Sequence, residues 1–101
     1  MVIGRVTGTV VCTQKDQGLK GEKMLVVQPL DIGTLEKNGT RLVALDSVGA
    51  GEGELVVVVS GSSARLAEGY AKVPVDYCII GIVDSIEVDG EMIVSERREA
   101  V

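Results

Sequence analysis

The chain has no histidine, no phenylalanine and no tryptophan, and its aromatic content is two tyrosines, Tyr70 and Tyr77. Each absence removes a class of function. Without imidazole there is no histidine acid–base catalysis and no histidine-ligated metal. With so few rings there is almost no platform on which nucleic-acid bases could stack. Positive charge is also scarce, since 10 Lys and Arg face 15 Asp and Glu, for a formal net charge of -5. An acidic surface repels a phosphate backbone, so no nucleic-acid partner is expected. No apolar run approaches the about 18 residues that a membrane span requires. The sequence opens in a strand pattern with no basic leader region, and the expectation is a soluble, cytoplasmic protein with no membrane partner. Cys12 and Cys78 lie far apart, form no C-x-x-C and sit inside apolar runs. Buried, inert thiols are the expected state, with a disulfide or a reactive thiol as the alternatives.

What is present is aliphatic. Apolar residues make up 46% of the 101 positions, enough for one small domain with one core. The bias towards Val, Ile and Leu favours strands. Val2, Gly4, Val6, Gly8, Val10 and Cys12 alternate with Arg5, Thr7 and Thr9, a period of 2 that predicts a strand with one buried face. Further strands are predicted at 24–28, 41–45, 55–60 and 78–83, with Pro29 ending the second. Ser62 and Ser63 offer N-cap hydroxyls to a short helix from Ala64 to about Glu68, stopped by Gly69. Asp89-Gly90 between two apolar runs predicts a hairpin with a type I′ turn. The expected fold is therefore mainly β: a small OB-like five-stranded barrel with one short helix and a C-terminal hairpin. Residues 1–95 are read as one domain and 96–101 as a charged tail. The runs Val56 to Val59 and Cys78 to Val83 are apolar on both faces. A barrel strand shows one face to its own core, so the other needs a cover, and self-association supplies one economically.

The densest run of glycine is Val48-Gly49-Ala50-Gly51-Glu52-Gly53-Glu54. Glycine serves where φ must be positive or where another backbone approaches closely. A phosphate loop is one reading, but no lysine follows the last glycine as in G-x-x-x-x-G-K-[ST], and a strand follows where a helix would open. Glu52 and Glu54 would repel an anion. As a carboxylate pair they lack the further ligands of a hard-metal loop, and solvated loop charge is the plainer reading. Gly61-Ser62-Ser63-Ala64-Arg65 could hold an anion at a helix start, or be a capped helix whose arginine pairs with an acid. Neither serine has a histidine or a placed lysine to activate it. Lys15, Lys20 and Lys23 flank a turn and read as a solvated face. No set of residues supplies nucleophile, base and oxyanion site together, so no enzyme and no cofactor are expected.

Five segments in register resemble the bacterial microcompartment vertex proteins, the EutN/CcmL family. They are Gly4-Arg5-Val6-Thr7-Gly8-Thr9-Val10-Val11 with Lys15, then Gln28-Pro29-Leu30-Asp31, then Asp46 with Gly49-Ala50-Gly51-Glu52-Gly53-Glu54, then Ser60 to Arg65, and Val75-Asp76 with Ile80 to Asp84. The resemblance implies a non-enzymatic shell subunit that forms a homopentamer at the fivefold vertices of a polyhedral shell. Hexameric shell proteins would be its neighbours. It further implies that Gly49, Ala50, Gly51, Glu52 and Gly53 lie around the fivefold axis. Ser62, Ser63, Arg65 and Asp84 would support subunit or shell contacts. The two cysteines and the Ser-Ser-Ala-Arg segment lean towards the metabolosome branch over the carboxysome branch. The alternative from a different class is an OB-like module that binds a ligand or a single strand.

Overall fold

The computed structural model describes residues 1–19, 21–61, 64 and 76–95. Strands β1 (Val2–Val10), β2 (Met24–Pro29), β3 (Leu42–Asp46), β4 (Leu55–Ser60) and β5 (Tyr77–Ile82) close into a barrel in the order β1-β2-β3-β5-β4. Four of the pairings are antiparallel. The β3–β5 seam is parallel and short, with Leu45 opposite Cys78 and Asp46 opposite Ile79. A two-stranded sheet of β6 (Ser85–Val88) and β7 (Glu91–Ser95) follows. At its turn Asp89 has φ 52 and Gly90 φ 80, the two positive angles that a type I′ turn demands. Among the described residues one 3-10 turn is present, at Gln17–Leu19. The helix expected from Ala64 lies outside the described residues apart from Ala64 itself, which is fully buried.

The barrel core consists of Val6, Leu25, Val27, Ala44, Val56, Val58 and Ile79, with Ala50 inserted from the glycine-rich loop. The Val, Leu and Ile side chains among them contribute about 1.5–3 kcal/mol each when fully buried. Close packing explains Gly4, because a Cβ there would run into Val27 Cγ1 and lie 2.9 Å from the Gln28 carbonyl oxygen.

The alternation in β1 is interrupted. A bulge between Val6 and Gly8 shifts the register against β2, and a bulge rotates the residues beyond it onto the opposite face. Gly4 and Val6 therefore face the core. A Cβ on Gly8 would instead lie beside Val26 on the outside, and Val10 packs against a second, outer cluster. That cluster joins Met24, Leu45, Val59, Cys78 and Ala64. It corrects one step of the sequence argument: the outer faces of Val59 and Cys78 are covered within the chain and need no second copy. Cys12 is a further correction. It lies beyond the end of β1 and is exposed, while Cys78 is buried, and both are free thiols.

Candidate functional site

The glycine-rich loop joins β3 to β4 and is held at both ends. Asp46 ends β3 with a side chain only 2% exposed. Its Oδ1 accepts hydrogen bonds from the N–H groups of Val48 and Gly49, each at 3.1 Å. This short side chain turns the backbone as it leaves the strand. Ser47 donates its hydroxyl to the Ile79 carbonyl at 2.7 Å, tying the turn to β5. At the far end Gly53 N–H donates to Val6 O at 2.8 Å and Val6 N–H to Glu54 O at 3.0 Å. The loop's return thus extends the β1–β4 ladder by one step. Arg5 adds a bond from its guanidinium to Gly53 O at 2.6 Å.

Between these anchors Ala50 has no exposed surface and joins the core cluster. Gly51 N–H donates to Glu54 Oε1 at 2.7 Å, and Glu54 N–H donates back to Gly51 O at 3.2 Å. Glu54 therefore holds a turn, and only Glu52 of the two acids stands exposed at the loop tip. Lys23 Nζ donates to Ala50 O at 3.0 Å and lies 4.0 Å from Asp46 Oδ2. For Lys23 the expected solvated face is corrected in part, since this half-exposed side chain ties the loop to the start of β2, while Lys15 is exposed as expected and Lys20 lies outside the described residues. The signal was in the register: Met24 opposite Leu45 sets Lys23 opposite Asp46.

The N–H groups of all three glycines are engaged inside the chain, by Asp46, Glu54 and Val6. A phosphate cradle needs such groups aimed at the ligand, so this loop is not built as one. The glycines separate by physical cause. Gly49 and Gly53 have φ of 81 and 85, where an L side chain is strained. Gly51 has no such angle, and a Cβ there would meet only Glu54 Oε1 at 3.4 Å. Nothing rigid among the described residues requires Gly51 to be glycine.

The structure sets Asp84 near the loop's return, because Val83 N–H donates to Leu55 O at 2.8 Å and Asp84 is the next residue, exposed. Ser62, Ser63 and Arg65 lie outside the described residues, so they cannot be related to the loop. Among the described residues no cluster of three or more His, Cys, Asp or Glu could hold a metal. Burial raises the Cys78 thiol pKa above its ordinary value against a hydrogen bond with Ser47 that lowers it. Asp31 is lowered, chiefly by the Thr34 N–H and hydroxyl and by the Gly33 N–H. Among the described residues no helix is long and apolar enough to cross a membrane.

Residues 1–84 match the family described as Ethanolamine utilisation protein EutN/carboxysome. The chain is 46% identical over 93 residues to the bacterial microcompartment shell vertex protein EutN of Salmonella typhimurium, covering 92% of this chain and 93% of the relative. Among solved structures, CcmL of Nostoc sp. PCC 7120 superposes with a TM-score of 0.89 at 43% identity, over 94% of this chain and 99% of that one. The GrpN pentameric microcompartment shell protein of Rhodospirillum rubrum superposes with a TM-score of 0.79 at 44% identity, over 87% and 99%.

Proposed function

Since this chain belongs to the EutN/CcmL family, we propose that it is a structural subunit that assembles as a homopentamer and closes the fivefold vertices of a bacterial microcompartment shell. The observation that carries the reading is the near-complete match, in sequence and fold, to shell vertex proteins, among them the GrpN described as pentameric. The loop chemistry supports it, because the glycine N–H donors are turned inward and leave backbone surface at Gly51 to Gly53, with Glu52 as the exposed charge at the tip. In this proposal Gly49 to Gly53 surround the fivefold axis, and Gly51 is the position where neighbouring backbones come closest. Asp84, near the loop's return, supports a contact between subunits, and Ser62, Ser63 and Arg65 contact a neighbouring subunit or shell protein. Hexameric shell proteins are the surrounding partners.

Relatives from both branches match at similar identity, 46% for the S. typhimurium EutN and 43% for a Gloeobacter violaceus carboxysome CcmL. Cys12, Cys78 and the Ser-Ser-Ala-Arg segment lean towards the metabolosome, and these identities do not separate the branches. The vertex role common to both branches is what the loop and the matches support. Native mass spectrometry tests it: the expected species has five times the 10.6 kDa of one chain. A sample that is only monomer or dimer under mild conditions sinks the proposal.

A further inference from the structure

A barrel strand in water carries polar residues at its outward positions. Two rows on this barrel do not. The first runs across β1, β2 and β3 as Gly8, Val26 and Val43, which are cross-strand partners in register. Among the described residues a Cβ at Gly8 would meet only Val26, at 3.7 Å, and Val43 is 47% exposed. The second runs across β1, β4 and β5 as Ile3, Val57 and Gly81. A Cβ at Gly81 would likewise, among the described residues, meet only Val57, at 3.9 Å. Ile3 and Val57 continue into a surface cleft lined also by Met1, Leu30, Ile32 and Asp31, in which Ile32 is 52% exposed.

The strand order sets these rows on different sides of the barrel, sharing only β1, whose two halves lie either side of the bulge. The outer cluster around Cys78 accounts for neither row. Each row contains a glycine, so each is low enough for another chain to approach closely. The row residues themselves carry no charge that would select a charged partner.

Symmetry then identifies the occupant. One self-complementary patch gives a twofold dimer, whereas a closed ring of five needs two different patches that fit each other head to tail. We infer that the Gly8–Val26–Val43 row of one copy docks on the Ile3–Val57–Gly81 row and its cleft in the next copy, and that this pairing is the ring contact. The inference rests on the pentameric reading above and adds which two faces meet.

The test uses Val43→Lys and Ile32→Lys, one on each patch. Both positions are exposed, and lysine moves the net charge of -5 towards zero, so general repulsion between copies falls. Each variant alone is expected to keep wild-type circular dichroism and to run as a monomer. Each retains the patch that the other lacks, so mixing them in equal amounts is expected to give a heterodimer that cannot extend. Sedimentation across a concentration series reads that mass. If Val43→Lys lowers the melting temperature, the nearly isosteric Val43→Thr replaces it and is expected to speed subunit exchange at least tenfold. Pentameric variants, a mixture that sediments as the sum of its monomers, or unchanged exchange in Val43→Thr overturn the pairing while leaving the vertex reading intact. A monomeric wild type overturns both.

Discussion

Gly51 and Gly53 are two residues apart in one loop, yet substitution should damage different levels of structure. At Gly53 φ is 85, and a side chain in that region costs roughly 1–2 kcal/mol. Gly53 N–H must also keep its bond to Val6 O, so the backbone cannot relax freely. For a domain of this size the cost corresponds to a loss of roughly 5–15 °C in melting temperature. At Gly51 there is no positive angle, and a Cβ meets only the end of the Glu54 side chain at 3.4 Å. The reduced freedom of the unfolded chain then favours the folded form by about 0.4–1 kcal/mol. Gly51→Leu should therefore leave the barrel as stable as before while abolishing the pentamer, because in the axial placement proposed above the added side chain would occupy the space of a neighbouring loop. Gly53→Leu should weaken the barrel itself. Circular dichroism reads the barrel and native mass spectrometry the ring. A pentameric Gly51→Leu refutes the axial placement, and an unfolded one refutes the claim that nothing rigid among the described residues requires this glycine.

Three further outcomes follow from the same geometry. Asp46→Ala leaves the Val48 and Gly49 N–H groups without their acceptor, and since water can reach both, the expected loss is about 1 kcal/mol, read by urea unfolding; no loss would mean the turn forms without the carboxylate. Ellman's reagent should modify one thiol per chain at neutral pH, Cys12, with Cys78 reacting only on unfolding, because Cys78 is buried and its pKa is raised; two fast thiols would contradict the packing of Cys78 against the outer cluster. The Asp31 pKa lies below 3.8, so its contribution is present above the unfolded value and lost as pH falls through the lower folded one. A carboxyl NMR titration should place its midpoint below 3.8, with the Gly33 and Thr34 amides shifting alongside it, and a midpoint at or above that value would show the Asp31 turn is not formed.

Much of this fold was legible because local chemistry and tertiary structure agree. The β-branched runs became β2, β4 and β5, and Asp89-Gly90 became the turn between β6 and β7. Positions governed by tertiary geometry were not legible. The bulge after Val6 turns Gly8 and Val10 outward, and a strict period of 2 cannot show where a closing barrel bends. Cys12 continues the apolar pattern yet lies beyond the last residue of β1 and is exposed. Lys23 looked like one of three turn lysines, and only the pairing of β2 with β3 brings it to the loop. The glycine-rich loop was recognisable as a crowded or special place, but its reasons divide. Gly49 and Gly53 answer to their own backbone angles, and for Gly51 the described residues of one chain show no such cause.

The most direct test of the vertex proposal is to express hexameric shell proteins with and without this chain and image the products by electron microscopy. The account predicts closed polyhedral shells carrying this chain at their vertices when it is present, and open or misassembled shells when it is absent. Shells that close equally well without it, or that exclude it when it is supplied, would contradict the claim that it caps the fivefold vertex.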